Sequence, residues 1–315
     1  MTLDVARYRG RFAPSPSGPL HFGSLVAALG SYLQAKSHGG EWLLRIEDID
    51  TTRVQPGAAD SILRTLEQFG LDWDQTETYQ TQRLARYQQI FADLKQQQLI
   101  YGCDCSRARI QQLPSGYDGF CRQRQLQHEP LAWRLSAATT QTKQTSTAMP
   151  QAEVNTHFTD LVFGEIEIPS ALCQEDYIIK RRDGLFAYQL VVVVDDLDQQ
   201  IGQVIRGADL IEMTTRQQAL CRRLGQQPPQ YGHLPLAVTA PGQKLSKQNH
   251  AADIRQQPLP ASMTAALTLL GHPPPPSLQG ASCQELLHWA LAHWQLQNIP
   301  QQREVPIQPL PAAAD

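Results

Sequence analysis

Along the chain, short apolar blocks that stop at Gly/Pro turns alternate with segments whose apolar residues recur every three or four positions. Tyr8 to Ala13 reads as a strand ending at the turn cluster Pro14-Ser-Pro-Ser-Gly18. From Gly23 to Lys36, residues Leu25, Val26, Leu29, Tyr32 and Leu33 fall on helical spacing. Trp42 to Ile46 reads as a second strand, and helical patterns follow at Ala58 to Phe69 and Arg83 to Gln98. This alternation predicts a parallel α/β sheet.

The rhythm breaks near Cys103. A Cys-rich loop comes first, then a strand-like Leu131 to Leu135, then a Ser/Thr/Gln stretch from Ser136 to Gln151 that reads as a loop. Phe158 to Ile168 predicts extended structure. The α/β pattern resumes at Tyr177 to Lys180, Gln203 to Arg206, Met213 to Leu224 and His233 to Val238. Val191 to Val194 is strand-like by composition, while the context Ala187 to Leu197 permits a helix. The expected organisation is an α/β domain in two halves, 1–102 and 173–250, interrupted by a module at 103–172. A helical C-terminal segment, 251–315, carries patterns at Ala261 to Leu270 and Cys283 to Trp294, and its last fifteen residues are expected to fray.

Composition narrows the function classes. A net charge of −3 on 315 residues, with 18% charged side chains, argues against disorder and against polyanion binding by bulk basicity. Lysine occurs only at positions 36, 95, 143, 180, 244 and 247, so anion contacts are expected from local arginines and those few lysines. The N-terminus shows no secretory pattern, and the longest apolar block, Leu190 to Val194, is too short to span a bilayer. A soluble, cytoplasmic protein with no membrane partner is expected.

Two segments carry phosphate-binding chemistry. After the first strand, Pro14 to Ser24 combines a turn with a helix start, where backbone N–H groups attract phosphate and His21 adds a donor. Gly18 and Gly23 allow close backbone approach. Far along the chain, Gly242-Gln-Lys-Leu-Ser-Lys-Gln248 places Lys244 and Lys247 in a loop that suits a reorganising triphosphate. Alone, the first could be an ordinary capped turn and the second a solvated basic loop. Together, HFGS and KLSKQ resemble the two signature motifs of class I aminoacyl-tRNA synthetases. The blocks GRFAPSPSGPLHFGSLVAAL, LLRIEDIDTTR, VVVVDDLDQQIGQVIRGADLI and KLSKQNHA resemble, in order, the glutamyl-tRNA synthetase core over most of residues 8 to 250.

That resemblance implies a Rossmann-type α/β catalytic fold with an inserted zinc-bearing α+β module and a short helical tail. It implies ATP bound with Mg²⁺ near His21, Gly23, Ser24, Lys244 and Lys247, with His21 and the two lysines catalytic. It further implies L-glutamate held by Arg11, Phe12, Ala13, Pro14, Ser15, Glu47, Tyr188 and Arg206: the two arginines on carboxylates, Glu47 on the amine, Tyr188 lining the pocket. Only 68 residues follow Lys247, too few for an anticodon-binding region, so the chain most resembles the shortened glutamyl-Q tRNA(Asp) synthetase subfamily. Members activate glutamate without tRNA and transfer it to the queuosine base at the wobble position of tRNA(Asp); no DNA partner is implied. The competing expectations are a shortened enzyme that charges a tRNA 3′ end, and a non-catalytic tRNA-binding or zinc scaffold.

Cys103, Cys105 and Cys121 cluster in a Gly/Pro-containing loop, a set that suits one structural Zn²⁺ lacking a fourth ligand. The subfamily's spacing implies Tyr117; Asp104, Asp118 and His128 compete with it. The alternative is three reduced cysteines that merely pack.

Overall fold

The computed structural model describes residues 8–114, 116–126, 128–137, 155–240, 242–244 and 253–307. β1 (Arg9–Phe12) leads through a turn into α1 (Phe22–Ser37), and the chain returns as β2 (Glu41–Ile46). Then come α2 (Ala58–Gln68), the short β3 (Thr78–Tyr79) and α3 (Leu84–Gln96). The middle of the chain forms β4 (Ile100–Cys103), α4 (Arg107–Gln111), β5 (Ala132–Leu135), β6 (His157–Asp160), β7 (Gly164–Glu167), α5 (Ser170–Gln174) and β8 (Tyr177–Lys180). It continues with α6 (Tyr188–Asp198), β9 (Gln203–Gly207), α7 (Thr214–Arg223), β10 (Gln230–Leu234), β11 (Leu236–Ala240) and β12 (Gln243–Lys244). α8 (Leu259–Leu269), α9 (Cys283–His293) and β13 (Glu304–Pro306) close it. No helix among the described residues is long and apolar enough to cross a membrane.

Strands β1, β2 and β3 pair in parallel, as do β9, β10 and β6, with β7 antiparallel at the edge. β9 lies beside β1, where Gly202 N–H donates to the Arg9 carbonyl at 2.9 Å. Across both sheets the order therefore runs β3-β2-β1-β9-β10. It reverses direction between β1 and β9, the kind of switch point where open α/β sheets bind ligands. A separate antiparallel sheet, β4-β5-β8, carries the cysteine loop.

Helix α1 packs tightly on this sheet: a Cβ at Gly30 would come within 2.6 Å of Leu234 Cδ1. Its other side is covered by α8 and α9, so Leu29 and Leu33 share one core with Met263, Leu267, Leu286 and Ala290. Trp294 Nε1 donates to Gln34 Oε1 at 2.9 Å and ties the C-terminal segment to α1.

The structure resolves one reading that the sequence left open and differs from the sequence reading in two places. Val191–Val194 lies in α6, buried on every side against α3, α7 and β8, so tertiary burial outweighs the strand preference of valine. The stretch His233–Val238 is two strands, not one, because Pro235 lacks the N–H a continuous ladder needs. The expected fraying of the last fifteen residues fails at Glu304–Pro306, which pairs in parallel with β11. Gly242 N–H also donates to Glu304 at 2.9 Å. Residues 308–315 and most of the Ser136–Gln151 loop lie outside the described residues.

Candidate active site

A cleft of about 540 Å³ opens at the carboxyl ends of β1, β9 and β10, at the switch point. Phe12, Ala13, Pro14, Ser15, His21, Gly23 and Ser24 form one wall; Gly207, Asp209 and the Leu234–Ala237 segment form the other. His21 is the N-cap of α1, its Nδ1 accepting from Ser24 N–H at 3.3 Å. The first turn of α1 holds no acidic residue, so the turn itself does not offset the helix's partial positive charge at the cleft. The Lys244 backbone lies on β12, paired with Val238 just beyond the cleft wall. Lys247 lies outside the described residues.

Ser15 also lines a second, smaller cavity of about 130 Å³, with Glu47, Asp50, Arg181 and Tyr188 among its walls. Glu47, just past the end of β2, is buried, and its Oε1 has no hydrogen-bond partner. The nearest cation is Arg45 Nη2 at 3.7 Å. Burial pushes the Glu47 carboxyl up to about 7, against the pull of Arg45 and Arg11. An orphaned buried acceptor is costly unless a ligand donates to it. Burial also raises the Tyr188 phenol, and the Glu47 charge adds to the rise.

Behind this pocket, Arg11 holds Asp196 side-on: Nε donates to Oδ1 at 3.0 Å and Nη2 to Oδ2 at 3.4 Å. Arg45 Nη2 donates to the same Asp196 Oδ1 at 2.7 Å. Both arginines hold the Asp196 carboxyl below its usual range, although burial raises it. Arg206 is buried on β9 beside His233 and Thr214. Neither Arg11 nor Arg206 lines the two cavities, but the charges of both act on Tyr188. The structure thus brings Phe12, Ala13, Pro14, Ser15, His21, Gly23 and Ser24 to one wall, and Ser15, Glu47 and Tyr188 to the adjoining one. Sequence reasoning missed the supporting carboxylates. Asp196, the buried partner of both arginines, was visible only as an acidic pair after four valines.

In the cysteine loop, the Cys103, Cys105 and Cys121 sulfurs all lie within 4.8 Å of one another, and the thiols are free. Tetrahedral zinc with Zn–S bonds of about 2.3 Å separates its sulfurs by about 3.8 Å, so a metal fits this spacing. The Tyr117 hydroxyl lies 3.7 Å from Cys103 Sγ and accepts the Cys121 N–H at 2.8 Å. Asp104 approaches Cys121 Sγ at 3.4 Å, but Arg124 holds it at 2.6 Å. Asp118 pairs with Arg109, and His128 is exposed, 3.5 Å from Asp104. No cysteine lines either cavity described above.

Residues 7–288 match the family described as tRNA synthetases class I (E and Q), catalytic domain. A glutamyl-Q tRNA(Asp) synthetase of Pectobacterium atrosepticum is 50% identical over 299 residues, 95% of this chain and 88% of the relative. Another of the same name from Vibrio vulnificus is also 50% identical, over 95% of this chain and 93% of its own length. Among solved structures, the glutamate-tRNA synthetase of Elizabethkingia anophelis superposes with a TM-score of 0.75 at 23% identity. The match covers 96% of this chain and 68% of that one. It supports the fold: a class I catalytic domain built of mixed α/β sheets. The chain belongs to the class I tRNA synthetases of the glutamate and glutamine type, and among them to the family of the glutamyl-Q tRNA(Asp) synthetases.

Proposed function

We propose that the chain joins glutamate to ATP in these two adjoining cavities and passes the glutamyl group to the queuosine of tRNA(Asp). The observation that carries this reading is the orphaned Glu47 carboxylate oxygen in a small pocket that shares Ser15 with the cleft at the α1 N-terminus. The cleft takes ATP, its phosphates near His21, Gly23 and Ser24. The small pocket takes glutamate, with Glu47 accepting from its ammonium and Tyr188 lining the side chain. Arg11 commits Nε and Nη2 to Asp196, and its Nη1 edge suits a substrate carboxylate.

The glutamate α-carboxylate attacks the ATP α-phosphorus, pyrophosphate leaves, and glutamyl-adenylate forms. The nucleophile is already ionised at neutral pH, so the step needs orientation and charge stabilisation, not a base. His21, the α1 N-terminus and the ammonium groups of Lys244 and Lys247 supply the positive field. Mg²⁺ carried in with ATP would neutralise phosphate charge. In the second step a queuosine hydroxyl attacks the adenylate carbonyl, AMP leaves, and the hydroxyl proton is released. The work is that of a cytoplasmic ligase acting on tRNA.

Glutamate-dependent pyrophosphate exchange without tRNA tests the first step, and transfer to tRNA(Asp) with or without queuosine tests the second. Exchange in the absence of tRNA, and glutamylation confined to queuosine-containing tRNA, are expected. Charging that survives the loss of queuosine would point to the 3′ end instead, and absent exchange in folded protein would remove the enzyme reading.

The cysteine loop is read as a structural Zn²⁺ site held by Cys103, Cys105, Cys121 and Tyr117. Elemental analysis of the purified protein is expected to find about one zinc per chain. Cys121→Ser should lose most of it and melt at lower temperature. Full metal content in that variant would show that the cluster is not the site.

A further inference from the structure

Four hydrogen bonds hold the Arg206 guanidinium. Nε donates to His233 Nε2 at 3.0 Å and Nη1 to Gln217 Oε1 at 2.7 Å. Nη2 donates to Thr214 Oγ1 at 2.9 Å and to the Leu210 carbonyl at 3.2 Å. A guanidinium has five N–H groups, so one, on Nη1, is left for a ligand. An arginine committed so fully has one orientation.

Three neighbouring strands assemble this arrangement. Arg206 on β9 and His233 on β10 are register partners, and β10 in turn pairs Tyr231 with Asp160 at the end of β6. His233 Nδ1 lies 2.6 Å from Asp160 Oδ2, and both side chains are 0% exposed. Asp160 Oδ1 accepts backbone N–H groups from Val162 at 2.9 Å, Phe163 at 3.0 Å and His233 at 3.2 Å. Valence settles the tautomer. Arg206 Nε is always a donor, so His233 Nε2 must accept, which leaves the ring proton on Nδ1, facing Asp160.

We propose that Asp160 and His233 act as a positioning relay: the carboxylate fixes the imidazole as an Nε2 acceptor, and the imidazole fixes Arg206 for a substrate carboxylate. The inference deepens the proposed function, because it rests on Arg206 being a glutamate-binding residue. A doubly protonated ring would turn an N–H against Arg206 Nε–H and break the line. Burial pushes the imidazole pKa down; the Asp160 hydrogen bond opposes this, and the Arg206 charge reinforces it. Tyr231 and Phe158 pack their rings near His233, Thr214 Oγ1 lies 3.4 Å from Nε2, and Asp209 adds a more distant charge.

Asp160→Asn is the discriminating variant. The Asn oxygen can keep the backbone N–H bonds while its amide donates to Nδ1, which forces the proton onto Nε2, facing Arg206 Nε–H. In pyrophosphate exchange the relay predicts at least a tenfold rise in glutamate KM, with ATP KM within twofold of wild type. At position 233, Gln keeps an acceptor oxygen and should retain more glutamate affinity than Leu. Arg206→Ala separates the two layers of the reading. If it leaves glutamate KM within twofold, the assignment of Arg206 falls. If it raises glutamate KM while Asp160→Asn does not, the relay alone is overturned. Lower melting temperature in Asp160→Asn with both KM values unchanged also overturns it, as a merely structural role. Should Asp160→Asn not fold, equal glutamate KM for the Gln and Leu variants at 233 has the same force.

Discussion

Replacing Glu47 by Gln is expected to raise the glutamate KM by roughly tenfold to a hundredfold, with ATP KM nearly unchanged. The range follows from about 1.5–3 kcal/mol for a hydrogen bond to a charged group. The same substitution is expected to stabilise the empty protein. The Glu47 carboxyl is pushed up to about 7 from an ordinary 4.5, first by burial. A raised folded pKa gives a contribution fully present below about pH 4.5 and lost as pH rises through 7. By pH 8 the ionised group costs about 3 kcal/mol relative to its protonated form. Gln has no charge to bury, so its advantage in melting temperature should grow from pH 5 to pH 8. Wild-type glutamate KM should fall over the rise from pH 6 to 8, since the charged carboxylate holds an ammonium more strongly than the neutral acid does, while the variant stays flat. A variant with the wild-type pH slope would remove Glu47 from the amine site. The pocket thus holds a destabilising charge that substrate relieves, a cost to folding that serves binding.

Much of this site was legible in the sequence, because phosphate and carboxylate recognition require particular residues near chain turns. Local pattern placed the turn after β1, His21 at the start of α1 and Glu47 just past β2, while the roles expected of His21 and Glu47 came from the resemblance to glutamyl-tRNA synthetases. The inner supports could not be placed this way. Asp196 lies on α6, whose four valines left strand and helix both open, and the helix turns it toward Arg11 and Arg45. His233 reads as one polar residue in an apolar stretch until the ladder sets it opposite Arg206. Pairings between residues far apart in sequence depend on strand order, which local periodicity does not encode. The β13 strand was hidden for the same reason: a Pro-rich tail offers little pattern, but β11 has a free edge that accepts it.

The strongest effect on stability is expected from Asp196→Ala. Asp196 is the shared acceptor of Arg11 and Arg45, and the three side chains are 5%, 4% and 0% exposed. Arg45 Nε already lacks a hydrogen-bond partner. Removing Asp196 takes away the acceptor of both Arg11 hydrogen bonds, and leaves Arg45 with Gln199 Oε1 and, at 3.7 Å, Asp195 and Glu47. Breaking a buried ion pair by deleting one partner costs about 3–5 kcal/mol. In a chain of this size that corresponds to a melting temperature lower by roughly 5–8 °C. Asp196→Asn keeps an acceptor oxygen and should lose less. The pH dependence has the opposite sign to that of Glu47. The folded carboxyl is held low, so its contribution is present above the ordinary value of 3.8 and lost as pH falls below it. The deficit of the Ala variant should therefore narrow on acidification below about pH 4. Glutamate KM should rise as well, because Arg11 loses the side-on partner that orients its Nη1 edge. A melting temperature within about 2 °C of wild type at pH 7 would show that the two guanidiniums find water or other acceptors, and that Asp196 does not organise the pocket floor.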